Sequence, residues 1–223
     1  MQRIRTALIA GASGLVGGHC LNYLLSSDRY SQVISVGRRE LPLINPKLEQ
    51  LVVDFDNLKR FASELAADDI YCCLGTTIKK AGSQDAFYKV DHTYVVQLAN
   101  ITANRQASQF LVVSAMGADA GSSLFYNRVK GEMEADIVKN SFTSVQIFRP
   151  SLLLGDRPEK RLGEAIGAAI MKPLSSLMIG PLKKYRPIQG ETVAKAMLQA
   201  ASREQPGIHI YPSDQIEKLG SQP

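Results

Sequence analysis

Cysteine and histidine are both scarce in this chain, with three of each among 223 residues. Cys20, Cys72 and Cys73 are odd in number and irregular in spacing, which argues against a disulfide framework and against a zinc site. Cys72 and Cys73 are adjacent in the apolar run Ile70-Tyr71-Cys72-Cys73-Leu74. Neighbours on a strand point to opposite faces, so both read first as small buried residues. His19, His92 and His209 form no ligand pattern, and no metal is expected. Long apolar runs are missing as well. Leu8–Ala10 and Ile166–Met171 are far too short to cross a bilayer, so no membrane association is expected. Met1-Gln2-Arg3-Ile4-Arg5 runs straight into a strand-like segment and leaves no room for a secretory leader, which makes the cytoplasm the expected compartment. Charge of one sign is also in short supply. The net charge is +5 without a basic stripe, and the densest cluster, Lys183-Lys184-Tyr185-Arg186, reads as a solvated loop. Nucleic acid is therefore not an expected partner.

What remains is an ordinary globular composition, 45% hydrophobic and 21% charged. Short β-branched runs alternate with longer amphipathic stretches. Strands are expected at Thr6–Ala10, Val33–Val36, Leu51–Val53, Ile70–Cys73, Phe110–Val113 and Val145–Phe148. Helices are expected at Leu15–Ser26, Leu58–Ala66, Phe87–Asn104 and Leu124–Lys139, then at Leu162–Met171 and Gly190–Ala201, with a last strand at Ile208–Tyr211. Alternation of this kind implies an α/β fold with a doubly wound parallel sheet. Residues 1–223 are expected to form a single domain, in which 151–223 makes a small cap over the carboxyl edge of the sheet.

The first strand leads into Gly11-Ala12-Ser13-Gly14-Leu15-Val16-Gly17 and then a helix. Glycines at this junction let the turn close and let backbone N–H groups approach a pyrophosphate, to which the helix N-terminus adds positive charge. All seven residues are candidate dinucleotide contacts. The second strand ends in Ser35-Val36-Gly37-Arg38-Arg39, with no carboxylate to hold a ribose hydroxyl and two guanidinium groups able to pair with a 2′-phosphate. NADP(H) is the expected cofactor, with Arg38 the first choice for the phosphate and Arg39 the second.

Further along, Ser114 follows the fifth strand, and Tyr126 and Lys130 stand at i and i+4 on the next helix. An ammonium beside a phenol favours its ionisation, and a tyrosine so placed can exchange a proton with an alcohol or carbonyl oxygen. Ser114, Tyr126 and Lys130 are the candidate catalytic residues. Ser114 is expected to bond the substrate oxygen, and Lys130 also to hold the cofactor's ribose.

Four stretches carry a family resemblance: Cys72-Cys73-Leu74-Gly75-Thr76-Thr77, Lys89-Val90-Asp91 with Tyr94-Val95, Tyr126 through Glu132, and Phe148-Arg149-Pro150. With the G-x-x-G-x-x-G spacing, they make the chain similar to the Tat-interacting-protein oxidoreductases, a group of atypical short-chain dehydrogenases. The resemblance implies a Rossmann fold holding NADPH. It implies that Leu74, Gly75 and Thr76 line the cofactor, that Arg149, Pro150, Ser151 and Leu152 pass near the nicotinamide, and that Asp54 meets the adenine. It also marks a departure, because Asp91 stands where many short-chain dehydrogenases carry an asparagine that supports a proton relay. Animal members of the family are described as binding other proteins. Three functions follow for weighing. The first is an NADPH-dependent reductase of a small carbonyl substrate. The second is an NADP(H)-binding regulator acting through a protein partner, and the third a sugar-nucleotide epimerase or dehydratase. Association with a second copy of the chain is left open. The substrate pocket is expected to draw on Ser151–Arg157, Leu162–Met171 and Met178–Pro187.

Overall fold

A computed structural model describes residues 4–155 and 185–222. The expected helix at Leu162–Met171, most of the Met178–Pro187 loop and the two lysines of the basic cluster lie outside these residues. Strands β1 (Arg5–Ala10), β2 (Tyr30–Gly37), β3 (Leu48–Val52), β4 (Asp69–Cys72), β5 (Gln109–Val113) and β6 (Ser144–Arg149) are followed by the short β7 (Leu153–Leu154) and β8 (Ile188–Gln189), and by β9 (Gly207–Pro212). Seven of them form one parallel sheet in the order β3-β2-β1-β4-β5-β6-β9, and β7 pairs with β8. The strand order reverses between β1 and β4. In open α/β sheets that is where the crevice opens and ligands bind.

Helices cover both faces. α1 (Leu15–Ser26), α2 (Ile78–Ala81), α3 (Gln84–Tyr88), α4 (Tyr94–Asn104) and α5 (Phe125–Ile137) precede α6 (Gly190–Ser202) and α7 (Ser213–Gly220). Cys20, Leu21 and Leu24 of α1 pack with Val193, Ala194 and Met197 of α6 against one face of the sheet. Val95 and Leu98 of α4 and Met133 and Ile137 of α5 cover the other. Residues 188–222 thus belong to the sandwich itself, with β9 on its edge and α6 on its flank.

Two expected helices differ in form. Leu58–Ala66 is replaced by a 3₁₀ helix at Phe55–Phe61. Its start is set upstream, where the Asp54 carboxylate accepts the Asp56 N–H at 3.0 Å. The long helix at Phe87–Asn104 is interrupted by a π-turn at Lys89–Thr93. Its extra residue turns both Asp91 and His92 into the protein.

A buried polar network ties the amino ends of the strands. The fully buried Asp69 carboxylate accepts from Arg5 Nη2 at 2.6 Å, Tyr30 Oη at 2.8 Å and Gln109 Nε2 at 2.9 Å. Tyr30 and Tyr71 share a further bond of 2.8 Å, and burial pushes both phenols well above the ordinary tyrosine range. A carboxylate met by this many donors is compensated for leaving water. The network fixes one end of the sheet, and the carboxyl ends are left to carry the site.

Candidate dinucleotide and proton-transfer site

The glycine turn closes where β1 meets α1. Gly11 has φ +87°, in the left-handed region, and a Cβ there would lie 2.5 Å from the Cys73 carbonyl oxygen. The loop after β1 and the loop after β4 are therefore in direct backbone contact, an approach that the Cys73 N–H to Ala10 carbonyl bond of 2.8 Å reinforces. Gly17 sits in the first turn of α1, and its Cβ would be 2.2 Å from the Gly11 carbonyl oxygen. Gly14 caps the helix without a side chain, and no acidic residue lies in the first turn. Among the described residues no side chain caps the N–H groups there, which lie at an exposed turn at Ser13 and Gly14. This cradle fits a pyrophosphate. Ala12 and Val16 are buried in the core beneath it. Leu15 turns its side chain away from the turn, onto Gly155 and Gly190.

Arg38 and Arg39 are exposed past the tip of β2, and among the described residues neither is engaged by a carboxylate. Asp54 is exposed beyond β3, where it caps the 3₁₀ helix and also accepts Asn57 Nδ2 at 2.6 Å. Leu74, Gly75 and Thr76 follow β4 beside the glycine turn, with Leu74 partly packed on the core.

Tyr126 and Lys130 differ sharply in exposure. The Tyr126 ring is 39% exposed and lies against buried Phe87, with centroids 5.5 Å apart, whereas Lys130 is 3% exposed. The Lys130 ammonium meets Asp91 Oδ1 at 2.7 Å, and the other oxygen of that carboxylate accepts the Thr76 N–H at 2.8 Å. Burial alone would pull Lys130 below its ordinary value; Asp91, then the Tyr126 phenol, overcome it and raise the ammonium above that value.

A cleft of about 340 Å³ opens beside the Tyr126 ring, lined among the described residues by Ser114, Ala115, Met116, Pro150, Ser151, Leu152 and Leu153. Ser114 borders it, but its hydroxyl donates to the buried Glu134 carboxylate. Glu134 in turn takes Arg149 through Nη2 at 2.5 Å and Nε at 3.0 Å, which raises the guanidinium above its ordinary value. Two expected roles change as a result. Ser114 faces the cleft with its proton committed, so in this arrangement it offers a lone pair and not a donor to a bound oxygen. Arg149 turns inward to Glu134, while Pro150, Ser151 and Leu152 line the cleft. The Ser151 hydroxyl also donates to the Arg186 carbonyl and meets Ser213 Oγ at 3.0 Å, holding the carboxyl-terminal segment against the cleft wall.

Sequence reasoning missed Glu134. It stands at i+4 from Lys130 and i+8 from Tyr126 and so continues their stripe on α5. An acid on the same face as a buried lysine was the available signal.

A parallel sheet in this order, with an uncapped glycine turn at its reversal point, defines a Rossmann-type dinucleotide-binding protein. A family model described as NAD(P)H-binding matches residues 11–204, and the chain belongs to that family. Protein HTATIP2 of Rattus norvegicus is 39% identical over 164 residues, 72% of this chain and 67% of that protein. Protein FMP52, mitochondrial, of Candida glabrata is 35% identical over 205 residues, 90% of this chain and 86% of that one. The resemblance read from the Cys-Cys-Leu-Gly-Thr-Thr run is thereby borne out. Among solved structures, MoeE5 in complex with UDP-glucose and NAD has a TM-score of 0.69 at 16% identity, covering 92% of this chain and 74% of that one. The Bordetella bronchiseptica enzyme WbmH in complex with NAD+ has 0.71 at 14%, covering 98% and 80%. These last two show a shared fold.

The cytoplasmic expectation is overturned. The relatives from Candida glabrata and Saccharomyces cerevisiae are both named mitochondrial. That expectation rested on a short amino-terminal run, which carries no such information. Among the described residues, no helix is long and apolar enough to cross a membrane.

Proposed function

We propose that this protein is an NADPH-dependent oxidoreductase of the short-chain dehydrogenase type that reduces a small carbonyl compound, with Tyr126 as the proton donor. The observation that carries the reading is the exposed Tyr126 hydroxyl-bearing ring at the cleft, with a buried ammonium one helical turn behind it. Gly11 through Gly17 would hold the pyrophosphate, Arg38 and Arg39 the 2′-phosphate, and Leu74, Gly75 and Thr76 the dinucleotide's middle. When bound, the nicotinamide supplies the hydride. The chain's own residues orient the carbonyl in the cleft and deliver a proton to its oxygen from Tyr126. The apolar walls at Met116, Leu152 and Leu153 favour a modest hydrophobic substrate. The names of the fungal relatives support a mitochondrial location for this chemistry.

One observation favours a second reading. The commitment of Ser114 to Glu134 removes a donor that a reductase would use, as suits an NADP(H)-binding regulator that acts through a protein partner without turnover. NADPH consumption over a panel of aldehydes, ketones and quinones separates the two. Saturable turnover supports the reductase; cofactor binding with no turnover across the panel supports the regulator.

The cofactor preference has its own test. Arg38→Ala is expected to weaken NADP(H) binding by about 10- to 100-fold, the worth of a charge-assisted pair, and to leave NAD(H) nearly unchanged. Calorimetric titration with both cofactors reads this directly. Equal losses for the two would place the 2′-phosphate elsewhere.

A further inference from the structure

The residue that departs from the usual short-chain pattern is also the most buried acid near the cleft. Asp91 is 1% exposed, and the π-turn at Lys89–Thr93 carries it inward, where a regular helix would continue its turn. Both of its oxygens are committed. One meets the Lys130 ammonium at 2.7 Å and the other accepts the Thr76 N–H at 2.8 Å. An asparagine could satisfy that amide, but it carries no charge to set against the ammonium.

We propose that Asp91 is a charge-compensating positioning residue: by pairing with Lys130 it weakens the ammonium's field at Tyr126 and so tunes how readily that phenol gives up its proton. The proposal rests on reading Tyr126 as the proton-transfer residue. An unpaired ammonium beside a phenol promotes its ionisation, which suits a base that takes protons from alcohols. An ion pair presents a dipole in place of a full charge, and its effect on a third group is smaller. The other groups facing the pair do not replace Asp91. The Cys72 thiol from β4 is pushed up to about 12 by burial and stays neutral, and Glu134, one turn further along α5, is already paired with Arg149. The same carboxylate ties the ammonium to the Thr76 backbone, so the loop expected to meet the cofactor and the lysine behind the phenol move as one piece.

The chain holds eight tyrosines and no tryptophan, so tyrosinate absorbance reports its phenols without indole background. The titration step belonging to Tyr126 is the difference between a protein and its Tyr126→Phe counterpart. With Asp91→Asn as the background, that step is expected to fall about one pH unit or more below its position in the natural chain. Removing both charges, in Asp91→Asn/Lys130→Met, is expected to return it towards the natural position. A step that Asp91→Asn leaves unmoved overturns the proposal. So does a lowered step that persists in the double variant, because the effect would then not pass through Lys130. Asp91→Ser is a second neutral variant should the asparagine protein fail to fold, and the same two outcomes decide it. None of these measurements needs a substrate. If Tyr126→Phe retained full turnover, the proton-donor reading would fail separately, whatever the titration showed.

Discussion

Gly17→Ala is expected to lower dinucleotide affinity by at least about 100-fold, close to 2.7 kcal/mol. The added methyl would stand 2.2 Å from the Gly11 carbonyl oxygen, 2.8 Å from its carbon and 3.0 Å from the Ala12 Cα. A comfortable carbon–oxygen contact is about 3.3 Å, so the turn must retreat by roughly an ångström. Every atom in the way is backbone, and no side-chain rotation relieves the clash. Nor can the turn retreat freely, because Gly11 on its far side is pressed against the Cys73 carbonyl. The amides at the start of α1 then lose their common direction, and with it the anion site. Gly14→Ala is the control for folding. Among the described residues its methyl would meet only the Gly11 oxygen, at 3.2 Å, and Gly14 has φ −87°, which alanine adopts without strain. Thermal melts should show Gly17→Ala destabilised and Gly14→Ala near the natural chain, and NADPH fluorescence titration reads the affinity. Affinity within a few-fold of natural for Gly17→Ala would mean that the phosphates do not lie on this turn.

This prediction was available from sequence because three glycines at fixed spacing between a strand and a helix have few other uses. The order of strands and helices was legible for a similar reason: β-branched runs and 3.6-residue stripes alternate cleanly from Thr6 to Phe148. The features that shape the cleft were not. Val90, Tyr94, Val95 and Leu98 read as one unbroken stripe, and a single inserted residue at Lys89–Thr93 leaves almost no trace in such a pattern while it redirects Asp91 completely. Ser114 was recognised, but its partner lies 20 positions away on α5. The pairing depends on how deeply that helix seats against β5 and β6, and no local rule encodes this. The helix expected at Leu58–Ala66 forms instead as a 3₁₀ helix at Phe55–Phe61, because its start is fixed by the Asp54 cap. Local periodicity reported elements well and reported poorly which polar groups those elements bring together.

The second large effect tests that assembly. Tyr126→Phe is expected to cut turnover of any accepted carbonyl by about 10²- to 10⁴-fold, the usual worth of a positioned general acid. The substitution removes one oxygen and keeps the ring, so the packing against Phe87 survives and the fold should be unchanged. Lys130 retains Asp91 at 2.7 Å, and its buried charge is not orphaned by the loss of the phenol. Cofactor affinity should therefore stay within a few-fold, and the loss should appear in kcat rather than in binding. In energy the deficit is about 2.7–5.5 kcal/mol of transition-state stabilisation, far more than the net worth of an ordinary hydrogen bond. It reaches that size because Ser114, with its proton held by Glu134, is poorly placed to take over as donor. Steady-state kinetics with NADPH and the best substrate of the panel would show it. A variant that turned over at the natural rate would remove Tyr126 from the chemistry, and a loss confined to KM would reduce it to a substrate contact.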